Sequence, residues 1–373
     1  MPLPLCGCAF RFVASLIGLS LIACSNVYAD PLLEPFEYQY NTSEPELSAA
    51  MPYSTDPVQR IMQSVVTVEA KVREGARTES TFGTDRLGSG VVLDTSGLIA
   101  TAGYIVAEAE TVTVTFANGI SDKADIVAYD DSIGVGLIRT RNFRSTHALE
   151  LGDSSALKKD QKMMVLPASG EEAAKAVKIG KVKPFTSGWE FVLDAAIHTY
   201  PPSTDFSGAA LVSDEAKLLG IGSLVSIDID IDPKVRVPGN IFVPIDALKV
   251  VMGELLTTGR SKSSLKPWIG VESKDTKTGI KVGSVYADGP AAKSGIKAGD
   301  KIMAVNQKQV NRLSDLYKLI WTEHKPGDQI HLLVLRDNQY ANVPVNTVDR
   351  YDWLKLHDVN SEDTETKITE LDE

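Results

Sequence analysis

Between residues 64 and 246 the chain is a succession of short β-branched runs separated by turn signals, with none of the long apolar periods that crossover helices require. Residues 64–71 alternate as a strand. Further strands are predicted at 88–93, 98–101, 111–116, 123–129, 135–139, 163–166, 191–197, 209–212, 218–225 and 239–243. Asp94-Thr95-Ser96-Gly97 is a turn, and Asn118-Gly119 is a tight hairpin signal between two strand candidates. This spacing predicts a β sandwich or a pair of barrels rather than a wound βαβ sheet. A length of 373 residues implies two or three domains. A hydrophobic fraction of 43% is enough to bury a sizeable core, which excludes wholesale disorder. The balance of 38 basic against 49 acidic residues, net -11, argues against a general nucleic-acid binder and against polybasic attachment to an acidic membrane.

Residues 1–29 read as an export signal. Arg11 supplies a positive charge, residues 12–23 are mostly apolar, and Val27-Tyr28-Ala29 offers small residues where a signal peptidase grips, with cleavage before Asp30. The apolar run is shorter than the roughly 18 residues of a membrane span. Leu21-Ile22-Ala23-Cys24 also resembles a bacterial lipobox. Two readings therefore stay open: a soluble exported chain, or one tethered to the membrane through lipid on Cys24. Either way Cys6 and Cys8 are lost, so no intrachain disulfide, thiolate nucleophile or cysteine metal site is expected.

Residues 30–57 form a leader rich in proline, serine and glutamate. Its Leu32, Leu33, Phe36, Tyr38, Tyr40 and Tyr53 suit docking on another surface. Residues 58–260 are expected to be the β-rich domain. It opens with one or two helical turns at 58–62, capped by Thr55 or Asp56, and closes with a helix over 245–256 that ends near Gly259-Arg260. A linker at 261–265 leads to a second domain at 266–350. Strands are predicted there at 269–272, 279–285, 301–305 and 329–335, with helices at 290–294 and 315–322. Ser314 is placed to cap the second helix, and Trp353 to pack just beyond the domain. Residues 358–373 read as a solvated acidic tail, with Glu362, Asp363, Glu365, Glu370, Asp372 and Glu373 set against Lys367.

Several motifs resemble the HtrA family of exported serine proteases. Leu87-Gly88-Ser89-Gly90-Val91-Val92 and Gly97-Leu98-Ile99-Ala100-Thr101 resemble the family's opening, and Leu151-Gly152-Asp153-Ser154 a connection between its barrels. Asp194-Ala195-Ala196-Ile197 resembles the approach to the nucleophile, and Ser207-Gly208-Ala209-Ala210-Leu211-Val212 the nucleophile loop. Trp268-Ile269-Gly270-Val271 resembles a PDZ carboxylate-binding loop. Residues 289–302, from Gly289-Pro290-Ala291-Ala292 to Gly299-Asp300-Lys301-Ile302, resemble the helix-and-turn block that follows it. The resemblance implies a mainly β chain: a trypsin-like double β-barrel followed by one α+β PDZ domain. Within that block Gly295 can end the short helix and Gly299 can turn into the next strand.

The catalytic pattern is broken. The family needs a serine nucleophile, a histidine base and an orienting aspartate. The serine position is Ser207. The histidine position, in Thr101-Ala102-Gly103-Tyr104-Ile105-Val106, is Tyr104, and the aspartate position, in Ser132-Ile133-Gly134-Val135, is Gly134. A phenol ionises near pH 10 and is a poor base at neutral pH. The glycine the family places two residues before the serine is Asp205 here, a carboxylate where an oxyanion would develop. His324, His331 and His357 lie in or beyond the second domain, and His147 in a surface connection. His198, nine residues before Ser207, is the one candidate for a rescuing base, provided the Pro201-Pro202 loop folds back. The run Ile227-Asp228-Ile229-Asp230-Ile231-Asp232 places three carboxylates on one strand face. We read it as a solubilising strand edge, and expect no metal site and no cofactor.

Recognition is the chemistry expected to survive, in a catalytically inactive HtrA-like pseudoprotease acting as a binding scaffold or regulator in the cell envelope. Peptide C-termini would add to the PDZ domain as a strand, with their carboxylate on the amides of Trp268, Ile269, Gly270 and Val271. The family resemblance also implies a homotrimer or association with an active relative, and a periplasmic location, with membrane contact only if Cys24 is lipidated. Two alternatives stay open: an active endopeptidase using Ser207 with an unusual base, and a structural envelope protein that binds no peptide.

Overall fold

The first strand shows how one short run serves two cores. In β1 (Val65–Val72), Val66, Val68, Ala70 and Val72 point into one cluster while Val65 points into another. This computed structural model describes residues 61–142, 147–168, 174–354 and 356. The export signal, Cys24, the leader at 30–57, the acidic tail at 358–373 and His357 lie outside the described residues.

Beside β1 lie β2 (Asp85–Val92), β3 (Leu98–Ala102), β4 (Ala109–Phe116), β5 (Ser121–Asp130) and β6 (Val135–Thr140). The sheet runs β1-β2-β3-β6-β5-β4 and closes where β4 pairs back on β1, Val66 opposite Phe116. A second antiparallel sheet contains β7 (Lys162–Leu166), β8 (Lys175–Ser187), β9 (Phe191–Tyr200), β10 (Ala210–Val212), β11 (Leu218–Asp232) and β12 (Val235–Pro244). It runs β10-β11-β12-β9-β8-β7 and closes where β7 pairs with β10, Leu166 opposite Ala210. Val66, Val68, Ile99 and Ile138 fill the first sheet, and Val165, Ile179, Leu211 and Phe242 the second. A third cluster joins the two along a seam that includes Val65, Val91, Leu137, Leu218 and Val243. Strand β3 is buried throughout because its residues face the first interior and the seam in turn.

The helix Ile245–Thr258 caps that seam. Its buried residues Ile245, Leu248, Val251 and Leu255 form one apolar stripe on the shared core. Its first turn is tied to the inter-barrel connection: Ser154 N–H and Oγ–H donate to Asp246 Oδ2 at 2.8 Å each. Gly259, left-handed at φ 75°, ends it.

The remaining strands are β13 (Pro267–Trp268), β14 (Val271–Thr276), β15 (Gly279–Val285), β16 (Lys301–Val305), β17 (Lys308–Gln309), β18 (Gln329–Arg336), β19 (Gln339–Asn346) and β20 (Val348–Asp349). Their main sheet runs β14-β15-β16-β18-β19, leaving β14 at an edge, and the helix Leu313–Glu323 packs Leu313, Leu316, Tyr317 and Ile320 against it. The expected linker is ordered. A 3-10 turn at Lys262–Ser264 is followed by β13, and Arg260 pairs with the largely buried Asp349 at 2.9 Å.

The structure corrects four expectations. Strand β8 was missed because lysines 175, 178, 181 and 183, Gly180 and Pro184 break up its alternation, and its pairing with β9 shifts register twice. Strand β19 was missed because it is exposed along most of its length. The strand expected at 269–272 is broken at Ile269-Gly270, where Gly270 has φ 80° and the amides turn away from the sheet. Ser314 is inside its helix rather than capping it: the boundary is Arg312, and Asp275 accepts the Leu313 N–H at 2.7 Å.

The fully buried Leu248 and its 83%-exposed neighbour Val250 separate seam packing from helix propensity. Leu248→Ala should destabilise the fold by about 2–5 kcal/mol in guanidinium unfolding, and Val250→Ala by less than about 0.5 kcal/mol. Equal effects would remove the helix from the seam.

Candidate functional site

Ser207 sits on the loop before β10, and backbone contacts from both sheets hold that loop. Its carbonyl accepts the N–H of Ser89 on β2 at 2.8 Å, and the next residue, Gly208, donates to the Gly222 carbonyl on β11 at 2.9 Å. Gly208 has φ 70°, and a Cβ there would lie 1.9 Å from the Ser89 carbonyl oxygen. A Cβ on Gly222 would lie 1.8 Å from the Phe206 carbonyl oxygen. No side chain fits at either position, so the chain can pass close enough to present Ser207 at the meeting of the sheets.

Tyr104 comes from the one-turn helix Gly103–Val106 between β3 and β4. Its hydroxyl lies 2.5 Å from Ser207 Oγ. Its ring stacks on Phe82 at 5.1 Å, and its carbonyl accepts from Arg86 at 2.6 Å. Arg86 is buried and also donates to the Ala107 carbonyl and to Thr78 Oγ1, while Thr78 donates to Glu108. The sequence reading missed Phe82, Arg86, Thr78 and Glu108. No local motif marks them, and Arg86 falls two residues before the strand expected at 88–93.

At the aspartate position, Gly134 has φ 73° and its carbonyl accepts the Gly103 N–H at 2.8 Å. A Cβ there would meet the Phe191 ring at 3.1 Å. The neighbouring carboxylates do other work. Asp130 Oδ1 accepts from Ser132 N–H, Ser132 Oγ–H and Ile133 N–H, and burial pushes the Asp131 carboxyl up to about 6, opposed by Arg350.

The structure does not bring His198 to Ser207. Its ring is buried on β9 beside Phe185, neither ring nitrogen has a hydrogen-bond partner, and burial together with Lys183 pushes it down to about 4. The aspartates at 228–232 are spread among cations: Asp230 pairs with Lys183 at 2.5 Å and Arg236 at 3.0 Å, Asp232 with Lys159 at 2.8 Å, and Asp228 with Arg236 at 3.7 Å.

Of the four residues expected to form the second site, three share one partner. The N–H groups of Ile269, Gly270 and Val271 converge on one carboxylate, that of Glu190, at 3.1, 2.8 and 3.1 Å. Trp268 instead supplies a wall, its ring 4.4 Å from that of Trp353. Burial pushes the Glu190 carboxyl from an ordinary 4.5 up to about 7, against the opposing effect of the three amides and Arg350.

A trypsin-like peptidase domain model matches residues 88–221, and a PDZ domain model matches residues 267–347. The chain is similar in both matches and in the relatives below to HtrA-type, trypsin-like, PDZ-containing proteases. A probable periplasmic serine endoprotease DegP-like of Halomonas elongata is 28% identical over 292 residues, 70% of this chain and 56% of that protein. The serine endoprotease DegS of Haemophilus influenzae is 25% identical over 278 residues, 70% of this chain and 76% of that one. The serine protease Do-like HtrA of Lactobacillus helveticus is 26% identical over 289 residues, 69% of this chain and 67% of that one. The chain thus spans little more than half the length of the DegP-like relative. The three converging amides lie within the segment that the PDZ domain model matches.

Glu190 holds its proton more tightly in the folded chain than in the unfolded one. Stability from this group is therefore complete below about pH 4.5 and is lost as pH rises through about 7. The stability difference between the wild-type chain and Glu190→Gln should fall across that window with a slope of up to about 1.4 kcal/mol per pH unit. Guanidinium unfolding at a series of pH values measures it. A difference that does not vary with pH would mean that Glu190 is not buried as described.

Proposed function

We propose that this chain is a catalytically inactive HtrA-like protein, a pseudoprotease that keeps the barrel cleft and the PDZ domain as a protein-binding scaffold or regulator of the cell envelope. The observation that carries this reading is the 2.5 Å contact between Tyr104 Oη and Ser207 Oγ, which puts a phenol where a base would stand. A phenol does not take a serine proton near neutral pH, so the hydroxyl stays a weak nucleophile. Gly134 offers no carboxylate to orient a base. Asp205, two residues before Ser207, would oppose charge developing on an oxyanion. A periplasmic location is supported by the names of the DegP-like relatives and by the export signal expected at residues 1–29.

The PDZ domain supports binding of peptide C-termini. A trimer, or assembly with an active relative, is part of the same proposal and is carried by the resemblance to the HtrA family, with Leu32, Leu33, Phe36, Tyr38, Tyr40 and Tyr53 of the leader available for it.

Incubation of the full chain with unfolded casein should give no cleavage that Ser207→Ala abolishes, and a fluorophosphonate probe should label the wild-type chain and Ser207→Ala equally. Turnover or labelling lost with Ser207 would establish an active endopeptidase. The double variant Tyr104→His/Gly134→Asp should also fail to cleave casein, because a side chain at 134 has to displace the Phe191 ring and Asp205 remains. Cleavage by that variant would show that only two side chains separate this protein from an enzyme.

A further inference from the structure

The PDZ groove is engaged at three points by a single turn of the chain's own barrel domain. Glu190, at φ 59°, follows Gly188 and Trp189 in the turn between β8 and β9, and its carboxylate holds the amides of Ile269, Gly270 and Val271. Two residues earlier, the Gly188 carbonyl accepts the N–H of Ser273 on the edge strand β14 at 2.8 Å. Across the groove, on the helix Leu313–Glu323, the Tyr317 hydroxyl donates to the same carbonyl at 2.9 Å and accepts the Glu190 N–H at 3.2 Å. Just after the turn, Val192 packs against the domain's apolar core.

An extended peptide bound by strand addition needs an amide nest for its carboxylate, a free edge strand for its backbone, and a facing helix. Each of these is taken by residues 188–190. The fit is close: a Cβ at Gly188 would lie 2.4 Å from the Ser273 carbonyl oxygen, and Glu190 is only 6% exposed.

We propose that the turn 188–190 is a built-in ligand of the PDZ groove, and that a peptide C-terminus binds this protein only by displacing Glu190 from the amides of Ile269, Gly270 and Val271. The proposal rests on the reading of this domain as a peptide binder. Its consequence is quantitative: the apparent affinity for an outside peptide equals the intrinsic affinity multiplied by the fraction of molecules in which the turn has left. The same amides donate to a side-chain carboxylate, as Glu190 itself shows. A peptide's terminal carboxylate has the further freedom to run its backbone along β14 in full, which the hairpin turn cannot do.

The test uses the full chain, Glu190→Ala and Glu190→Gln, with unfolding curves to show that each variant is folded. Two readouts are taken. The first is amide hydrogen exchange in the segment 267–274. The second is retention on beads carrying decapeptides randomised at their last four positions, with free C-terminal carboxylates, with amidated ends, or with amidated ends and one internal glutamate. Exchange should rise about tenfold or more in Glu190→Ala. Retention on free-carboxylate beads should rise about tenfold over the wild-type chain and vanish on both amidated sets, with Glu190→Gln in between. Should Glu190→Ala fail to fold, Glu190→Gln carries the same comparison. Unchanged exchange would overturn occupancy of the nest by Glu190. Faster exchange with equal retention of wild-type and variant chains would overturn displacement. Faster exchange with no retention of any chain would instead overturn the peptide-binding reading and leave a groove used only to hold the two domains together. Retention on the internal-glutamate beads would replace the C-terminus with an acidic loop as the partner.

Discussion

Close backbone packing at the junction of the two sheets is the constraint on which the rest of the structure depends. Gly208 lies against the Ser89 carbonyl and Gly222 against the Phe206 carbonyl, at separations that admit no Cβ. These contacts, with the Ser89–Ser207 and Gly208–Gly222 hydrogen bonds, fix where the serine hydroxyl stands. None of them involves a catalytic side chain. The loop that carries Ser207 is therefore held by backbone contacts rather than by the side chains at 104 and 134.

Aromatic side chains occupy the places beside Ser207 and Gly134. The Tyr104 ring, stacked on Phe82 and held through its carbonyl by buried Arg86, reaches the serine oxygen. The Phe191 ring lies where a side chain at 134 would have to go. Phe191 directly follows Glu190, so one short segment contributes a ring at the barrel junction and a carboxylate in the PDZ loop. Arg260 pairs with Asp349 at 2.9 Å, and the Trp268 and Trp353 rings pack tilted with centroids 4.4 Å apart. The loop at 269–271 cannot be described without Glu190, which comes from the other part of the chain.

Most strands were legible because a half-buried or doubly buried strand leaves a mark in its own residues. The runs at 98–101, 135–139, 279–285 and 301–305 lie within a residue or two of the observed strands. Where the mark is absent the reading failed. Strand β8 carries lysines outward and bulges at Gly180 and Pro184, and β19 is an exposed edge. Ser314 looked like a helix cap, but Asp275, distant in sequence, takes the free amide one residue earlier. At the site, Ser207, Tyr104 and Gly134 could be named from the resemblance to the HtrA motifs, whereas Phe82, Arg86 and Phe191 could not. Their roles arise from packing alone. His198 was near enough in sequence to be considered, yet its strand buries it beside Phe185 with no partner.

The amino-acid sequence alone determined which residue types stand at each position, the short strand periods, the tight glycines and the lack of an imidazole at 104 or a carboxylate at 134. Those are local properties, carried by a residue and its near neighbours. Only the tertiary structure decided what occupies the places so defined. The contact of Tyr104 with Ser207 spans 103 residues, and that of Glu190 with Ile269 spans 79. Such contacts form only when separate sheets have closed and packed, so no run of residues announces them. The motif Trp268-Ile269-Gly270-Val271 stands out in its own sequence, but that its amides hold Glu190 of the same chain could not be read there.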